Sequence, residues 1–275
     1  MPELPEVETM VRDLSSRVPG RTIIAIRAPF EGSVAWPDFG AFEHRVLQQE
    51  IVGISRRGKF ANFALGSGDV LIVHRGMSGS LLWRDTSDPM ESHVRLLFQL
   101  DDGSQLRFND PRKFGKVYVM EASGAERALP WAHMGPEPLD GAFTARNFQQ
   151  ALRRRTGLIK PLLLGQRLVV GLGNIYVDEA LHLARIHPVR RANTLTPGEV
   201  KRLHAAIGAV LNAAVEGRGT TFSSYMDVDG NAGAYKGNLR VFGRQGSACP
   251  RCGMTIVKFV VGGRGTHICP RCQVI

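Results

Sequence analysis

The sequence predicts an α+β protein in sections: a short entry helix, a strand-rich first half, a helical second half and a cysteine-stapled tail. Three observations carry this. From Arg21 to about Met120, short runs of β-branched and aromatic residues alternate with turn clusters and show no helical periodicity. Past Leu129 the apolar spacing becomes helical. All four cysteines fall within the last 27 residues.

Taken in order, residues 5–17 predict an amphipathic helix. Leu4, Val7, Val11 and Leu14 recur at helical spacing, glutamates favour the positive end of the dipole, and Pro19-Gly20 ends the run. Eight strands follow: TIIAIRA, EIVGISRR, KFANFAL, DVLIVH, GSLLW, HVRLLFQL, SQLRFND and KVYVME. Many short strands without intervening helices predict a sandwich or a barrel. The stretch PWAHMGPEPLDGAF reads as a linker, so we place domains at 1–130, 146–238 and 239–275 with a connector at 131–145. Helices are expected in NFQQALRR, IKPLLLGQ, NIYVDEALHLARI and TPGEVKRLHAAIGAVLNAAVEG, the last with Thr196 as N-cap and Pro197 at the first helical position. The polar, glycine-rich stretch at about 217–237 reads as a mobile loop.

At 275 residues, 43% hydrophobic and 22% charged, the chain has the mix of a soluble protein of two ordinary domains. No stretch reaches 18 apolar residues, so no membrane span is expected. The first residues lack a basic n-region and an apolar h-region, so a cytoplasmic, nucleoid-associated location is expected rather than export. The net charge of +10 points to a polyanionic partner. It is also clustered: Arg146–Arg167 and Arg240–Ile275 each hold six Lys/Arg and no acid, the pattern of a nucleic-acid surface. Cys249, Cys252, Cys269 and Cys272 form two CPRC pairs sixteen residues apart, which in a reducing compartment reads as one structural zinc ion rather than two disulfides. Four thiolates leave no open coordination position, so this zinc folds the tail and does no chemistry.

Five further segments bear on chemistry. In LVVGLGNIYVDEAL a glycine turn leads into a helix near Asn174. It lacks a dinucleotide fingerprint and suits a helix-turn-helix grip on DNA backbone. Met77 in HRGMSGS is either a buried turn residue or an apolar wedge, and Phe114 beside Arg112 in NDPRKFG is a second candidate wedge. Lys59 in RRGKF is, on local grounds alone, a solvated charge. Removal of Met1 would expose the secondary amine of Pro2, with a pKa of roughly 8. Such an amine can attack an aldehyde-level carbon to give an iminium ion, with Glu3 beside it to move protons.

Together these pieces resemble the bacterial formamidopyrimidine-DNA glycosylase family. PELPEVET, RRGKF, HRGMSGSL, NDPRKFG, MGPEPL, IKPLLLGQRLVVGLGNIYVDEAL, ARIHP, GTTF, DGNAG, VFGRQGSACPRCG and CPRCQ match in order over nearly the whole chain. The resemblance implies an N-terminal β-sandwich, a helix-two-turn-helix region and an antiparallel zinc finger, with double-stranded DNA containing oxidised purines in the cleft between domains. It implies excision of 8-oxoguanine and formamidopyrimidines through a Schiff base on Pro2, then β- and δ-elimination. Glu3 is the implied general acid, Lys59 acts in base release and β-elimination, Arg264 in δ-elimination, and Glu6 sits where the cationic intermediate forms. Met77, Arg112 and Phe114 match residues that fill the space of the flipped base. Lys160 and Asn174 match phosphate contacts, while His74, His93 and Arg155 fall at or beside other DNA contacts. The loop at about 217–237 matches the segment that closes over 8-oxoguanine.

Two positions depart from the family pattern. Arg75 stands where an apolar residue is common, and Lys113 where an arginine is common. Both keep or add positive charge, so small effects on DNA affinity are expected. An endonuclease VIII-like relative preferring oxidised pyrimidines fits less well, since such proteins begin PEGPE rather than PELPE. An inert DNA-binding module is disfavoured by the presence of Pro2, Glu3 and Lys59. A monomer is expected, because no heptad repeat asks for a partner.

Overall fold

The computed structural model describes residues 2–125, 128–222 and 225–275. The chain forms two compact units. The first runs to Ala132 and also takes in Arg218–Ala234; the second holds His133–Gly217 and Tyr235–Ile275.

The first unit opens with α1 (Leu4–Leu14), whose Leu4, Val7, Met10, Val11 and Leu14 are all buried. The strands are β1 (Arg21–Arg27), β2 (Val34–Trp36), β3 (Glu50–Arg57), β4 (Phe60–Leu65), β5 (Asp69–His74), β6 (Ser80–Asp85), β7 (Val94–Leu100), β8 (Ser104–Asn109) and β9 (Lys116–Glu121), with α2 (Phe39–Val46) between β2 and β3. Their order is β2-β9-β5-β4-β3-β1-β7-β8-β6, antiparallel except for β2 beside β9. The start of β1 pairs with β3 (Arg21 opposite Ile51). From Ile23 (opposite Leu100) onward it pairs with β7, across a bulge between Ile23 and Ala25. A bulge sharpens twist and bends its strand, so β1 turns the corner between the two faces of the sandwich. One buried cluster fills it: Phe63 and Leu71 from one side, Leu96, Phe98 and Phe108 from the other, Val7, Met10 and Leu14 from α1.

The sequence reading found the other eight strands and omitted α2 and β2. Asp38 caps α2 by accepting the Ala41 N–H at 3.1 Å, and Phe42 and Val46 bury one turn apart. Eight residues with two apolar anchors and a glycine are too short a periodic signal to read.

The second unit contains α3 (Ala145–Arg153), α4 (Ile159–Leu164), α5 (Asn174–Ala184) and α6 (Pro197–Glu216). Thr144 caps α3 through the Asn147 N–H. Thr196 and Glu199 form a capping box on α6, the Glu199 carboxylate accepting the Thr196 N–H at 2.8 Å. A two-stranded hairpin, β10 (Val257–Val261) and β11 (Arg264–Ile268), completes the unit. No helix among the described residues is long and apolar enough to cross a membrane.

Candidate active site and DNA interface

At the start of the chain Pro2 is buried, and Glu3 and Glu6 are 2% and 1% exposed. Glu6 is the third residue of α1 and turns its carboxylate back on the helix start. Oε2 accepts the Glu3 backbone N–H at 2.7 Å, and Oε1 accepts the Thr220 N–H at 2.8 Å. One buried carboxylate thus joins the N-terminal backbone to the segment entering at Arg218. The approach is close: Gly219 has φ of +81°, and a Cβ there would collide with the Glu6 side chain.

Lys59 is half-buried and is the second residue of a two-residue hairpin turn between paired Arg57 and Phe60. Gly58, with φ of +55°, supplies the conformation such a turn needs at its first position. Arg56 fixes that turn against α1 by donating to the Gly58 carbonyl at 3.1 Å and to Glu8 at 2.8 Å. His74 ends β5 opposite Phe60, with ring centroids 4.8 Å apart. Burial, and then the charge of Lys59, push its pKa down to about 4, so its ring is neutral at pH 7.

The remaining first-unit candidates converge on one carboxylate that sequence reasoning missed. Asp110 is fully buried. Its Oδ1 accepts from Ser78 Oγ at 2.6 Å and the Arg112 N–H at 3.2 Å; its Oδ2 accepts the Gly115 N–H at 2.7 Å. Its own N–H donates to the His93 carbonyl at 3.0 Å. Asp110 therefore folds the 110–115 loop, holds the 75–79 turn and seats His93. Gly76, with φ of +62°, lets the two loops touch: a Cβ there would strike the Phe114 and Gly115 backbone. Met77 and Phe114 both stand out from these touching loops, 37% and 50% exposed, with the Arg112 guanidinium 4.8 Å above the Phe114 ring. His93 and Arg112 are exposed. The signal available was Asp before Pro in NDPRKFG, a turn-forming pair whose carboxylate bonds the backbone ahead of it.

Arg75 corrects an expectation. It is 2% exposed and points inward, so it adds no charge to the surface. Lys113 is exposed, with its ammonium 4.4 Å from the Phe30 ring centroid.

In the second unit, Lys160 and Asn174 meet at the carbonyl of Gly265, donating to it at 3.1 and 2.9 Å. Gly265 follows Arg264, which stands exposed at the start of β11 after the Gly262-Gly263 turn, where both φ values are positive. Lys160 itself is fully buried and pairs with Asp178 at 2.6 Å. The Asp178 carboxylate also accepts the His267 N–H at 2.9 Å. The structure thus places the Lys160 ammonium inside the unit, under the Arg264 hairpin, and not at the surface where a phosphate contact was expected. The Asn174 Oδ1 is buried with no partner among the described residues. Arg155 is exposed just past α3.

The four cysteine sulfurs lie within 4.8 Å of one another, a spacing that suits one tetrahedral ion. Gly253, at φ of +77°, turns the first CPRC knuckle. Glu179 of α5 binds the segment leading in, accepting the N–H groups of Arg240, Val241 and Phe242 at 2.8–2.9 Å. Burial raises its pKa against those three donors.

Exposed arginines beside paired apolar loop residues, with a four-cysteine finger, define a zinc-finger protein that works on nucleic acid. Comparison with known proteins makes the class specific. Family models match the formamidopyrimidine-DNA glycosylase N-terminal domain at residues 1–117, its H2TH domain at 134–225, and the zinc finger found in FPG and IleRS at 246–274. The Symbiobacterium thermophilum formamidopyrimidine-DNA glycosylase is 47% identical over 99% of this chain and 89% of its own. That of Pelotomaculum thermopropionicum is 42% identical over 99% of both chains. A mutant Lactococcus lactis FPG bound to DNA containing Fapy-dG superposes with a TM-score of 0.92 at 39% identity, covering all of both chains. MutM bound to DNA containing carbocyclic 8-oxo-G gives 0.93 at 39%.

The chain belongs to the formamidopyrimidine-DNA glycosylase family. It is an enzyme of base excision repair, a DNA glycosylase with the AP-lyase activity of that family. It binds DNA and carries one structural zinc ion in its finger.

Proposed function

We propose that the enzyme removes oxidised purines, 8-oxoguanine and formamidopyrimidines, from duplex DNA through a Schiff base on Pro2. Met1, whose removal the mechanism requires, lies outside the described residues. The observation that carries the reading is the buried N-terminus, where Glu6 bridges the Glu3 and Thr220 backbone N–H groups. An amine placed there has a neighbouring acid and a fixed direction of attack.

In the proposed reaction the Pro2 nitrogen bonds to C1′ of the damaged nucleotide as the glycosidic bond breaks. The base leaves with the bonding pair and a proton, with Glu3 the general acid. Opening of the sugar leaves an iminium cation, which two negative neighbours favour. Loss of a C2′ proton expels the 3′ phosphate, and a second elimination expels the 5′ phosphate. Lys59 serves base release and β-elimination, and Arg264 serves δ-elimination. Met77, Phe114 and Arg112 fill the vacated stack, and His74, His93, Arg155 and Asn174 meet the backbone. Lys160 supports Arg264 from beneath through Gly265. The segment 218–234 covers the extruded base with its exposed Phe222 and Met226, 43% and 44% accessible. Ser223 and Ser224 of that loop lie outside the described residues.

Borohydride trapping on a duplex with one 8-oxoguanine opposite cytosine tests this. A covalent adduct is expected from wild type, a weaker one from Pro2→Gly and none from a chain extended at its N-terminus. A chain that binds this duplex without trapping, yet traps on an oxidised pyrimidine, would overturn the purine assignment.

A further inference from the structure

The mechanism leaves Arg75 without a role, yet it is among the largest fully buried side chains of the protein. A buried guanidinium is costly unless its donors find partners. Here they do. Nε donates to the Gly79 carbonyl at 2.8 Å, Nη1 to the Glu6 carbonyl at 3.4 Å, and Nη2 to Ser80 Oγ at 3.5 Å. Nη2 also donates to the Met226 carbonyl at 3.1 Å, and the guanidinium carbon lies 5.1 Å from the Tyr225 ring centroid.

These partners belong to four elements: the turn carrying Met77, the start of β6, the helix at the N-terminus, and the tip of the 218–234 segment. The segment has other anchors. Val228 accepts from the Trp83 N–H at 2.9 Å and from Arg84 at 3.2 Å, Asp229 pairs with Arg17 at 2.6 Å, and Arg218 pairs with Asp13 at 2.7 Å. Nearer the tip, Thr221 donates to the Tyr225 carbonyl and the Tyr225 hydroxyl to the Arg218 carbonyl, bonds internal to the segment. Arg75 adds a buried hold on Tyr225 and Met226 themselves. A leucine at 75 could make neither the carbonyl bond nor the ring contact.

We propose that Arg75 is a positioning residue that fixes the tip of the 218–234 segment on the N-terminal helix before a lesion arrives. In this enzyme it makes capture of the damaged base less dependent on ordering the loop. The proposal rests on the reading of that segment as the cover of the extruded base. A loop ordered in advance spends less conformational entropy on capture, so the gain falls on base recognition. Cleavage of a preformed abasic site, where no base needs covering, gains nothing.

The test compares the full-length enzyme with Arg75→Leu and Arg75→Lys by amide hydrogen exchange, 8-oxoguanine excision and abasic-site cleavage. For Arg75→Leu, exchange at Tyr225 and Met226 should rise about tenfold, the loss of one or two hydrogen bonds, while β5 and β8 exchange as in wild type. KM for the 8-oxoguanine duplex should rise about tenfold with kcat held, and abasic cleavage should stay within about twofold. Arg75→Lys, which keeps the charge and one donor direction, should fall between. Unchanged exchange at 225–226 in Arg75→Leu overturns the tether. Faster exchange with an unchanged excision-to-abasic ratio overturns the role in base capture. Faster exchange throughout the sandwich in both variants, with both activities lost together, would make Arg75 a fold element only. If wild type cleaves abasic DNA but excises no 8-oxoguanine, the cover reading fails, and exchange still decides the tether.

Discussion

Two buried carboxylates hold the exposed chemistry in place. Asp110 satisfies three donors on two loops, so Asp110→Ala should release Met77, Arg112 and Phe114 together. We expect a loss of about 2–4 kcal/mol in thermal unfolding, since three donors lose a charged acceptor, with weaker binding to a duplex holding an abasic site. Met77→Ala should weaken the same binding with little change in melting. Lys160 and Asp178 make the second case. Lys160→Met strands a buried carboxylate and should cost about 3–5 kcal/mol, whereas Lys160→Met with Asp178→Leu should recover most of it. Urea unfolding of the single and double variants checks both. Met77, Arg112 and Phe114 stand out in the sequence as apolar and cationic residues among turn formers. Asp110 had a local turn signal in its Asp-Pro pair, but its burial, like that of Asp178, was not legible, because it depends on strands and helices distant in sequence.

Elements were legible where their period repeats. The strands of 50–74 alternate or run apolar with glycine turns between them, and α6 carries its start signal in Thr196, Pro197 and Glu199. The short α2 does not repeat. The return of Arg218–Ala234 to the first unit has no local signal at all: ion pairs to Arg17 and Asp13 and the burial of Val228 bring it there. At the edge of β5, His74 ties an element to pH. Its folded pKa of about 4 lies below the unfolded 6.5. Above pH 6.5 both states are neutral and no stability is at stake. Between 6.5 and 4 the unfolded chain takes up a proton that the folded one refuses, so stability falls with pH by up to about 3 kcal/mol. Denaturation of wild type and His74→Gln at pH 7 and pH 5 should show a shallower loss in the variant.

For the whole molecule, a net charge of +10 concentrated in two acid-free blocks makes DNA affinity steeply dependent on salt. Each neutralised phosphate releases counterions, so the logarithm of the binding constant falls with the logarithm of salt by about 0.9 per phosphate. An exposed arginine that meets a phosphate and an apolar residue that fills a vacated stack therefore differ in the slope they leave behind. Arg155→Ala should weaken binding to damaged and undamaged duplexes alike and make the salt slope shallower by about 0.9. Met77→Ala should leave the slope unchanged and narrow the preference for a duplex missing a base. The zinc finger enters through the same measurement. Chelation removes the ion that holds four cysteines together, and with it the fixed position of Arg264, Arg251 and Arg271. The apo protein should bind with a slope shallower by several phosphates, while the β-sandwich keeps its own unfolding transition. A finger that served only to fold the second unit would lose affinity on chelation without that change in slope, so titrations at several salt concentrations, with and without chelator, separate charge placement from stability.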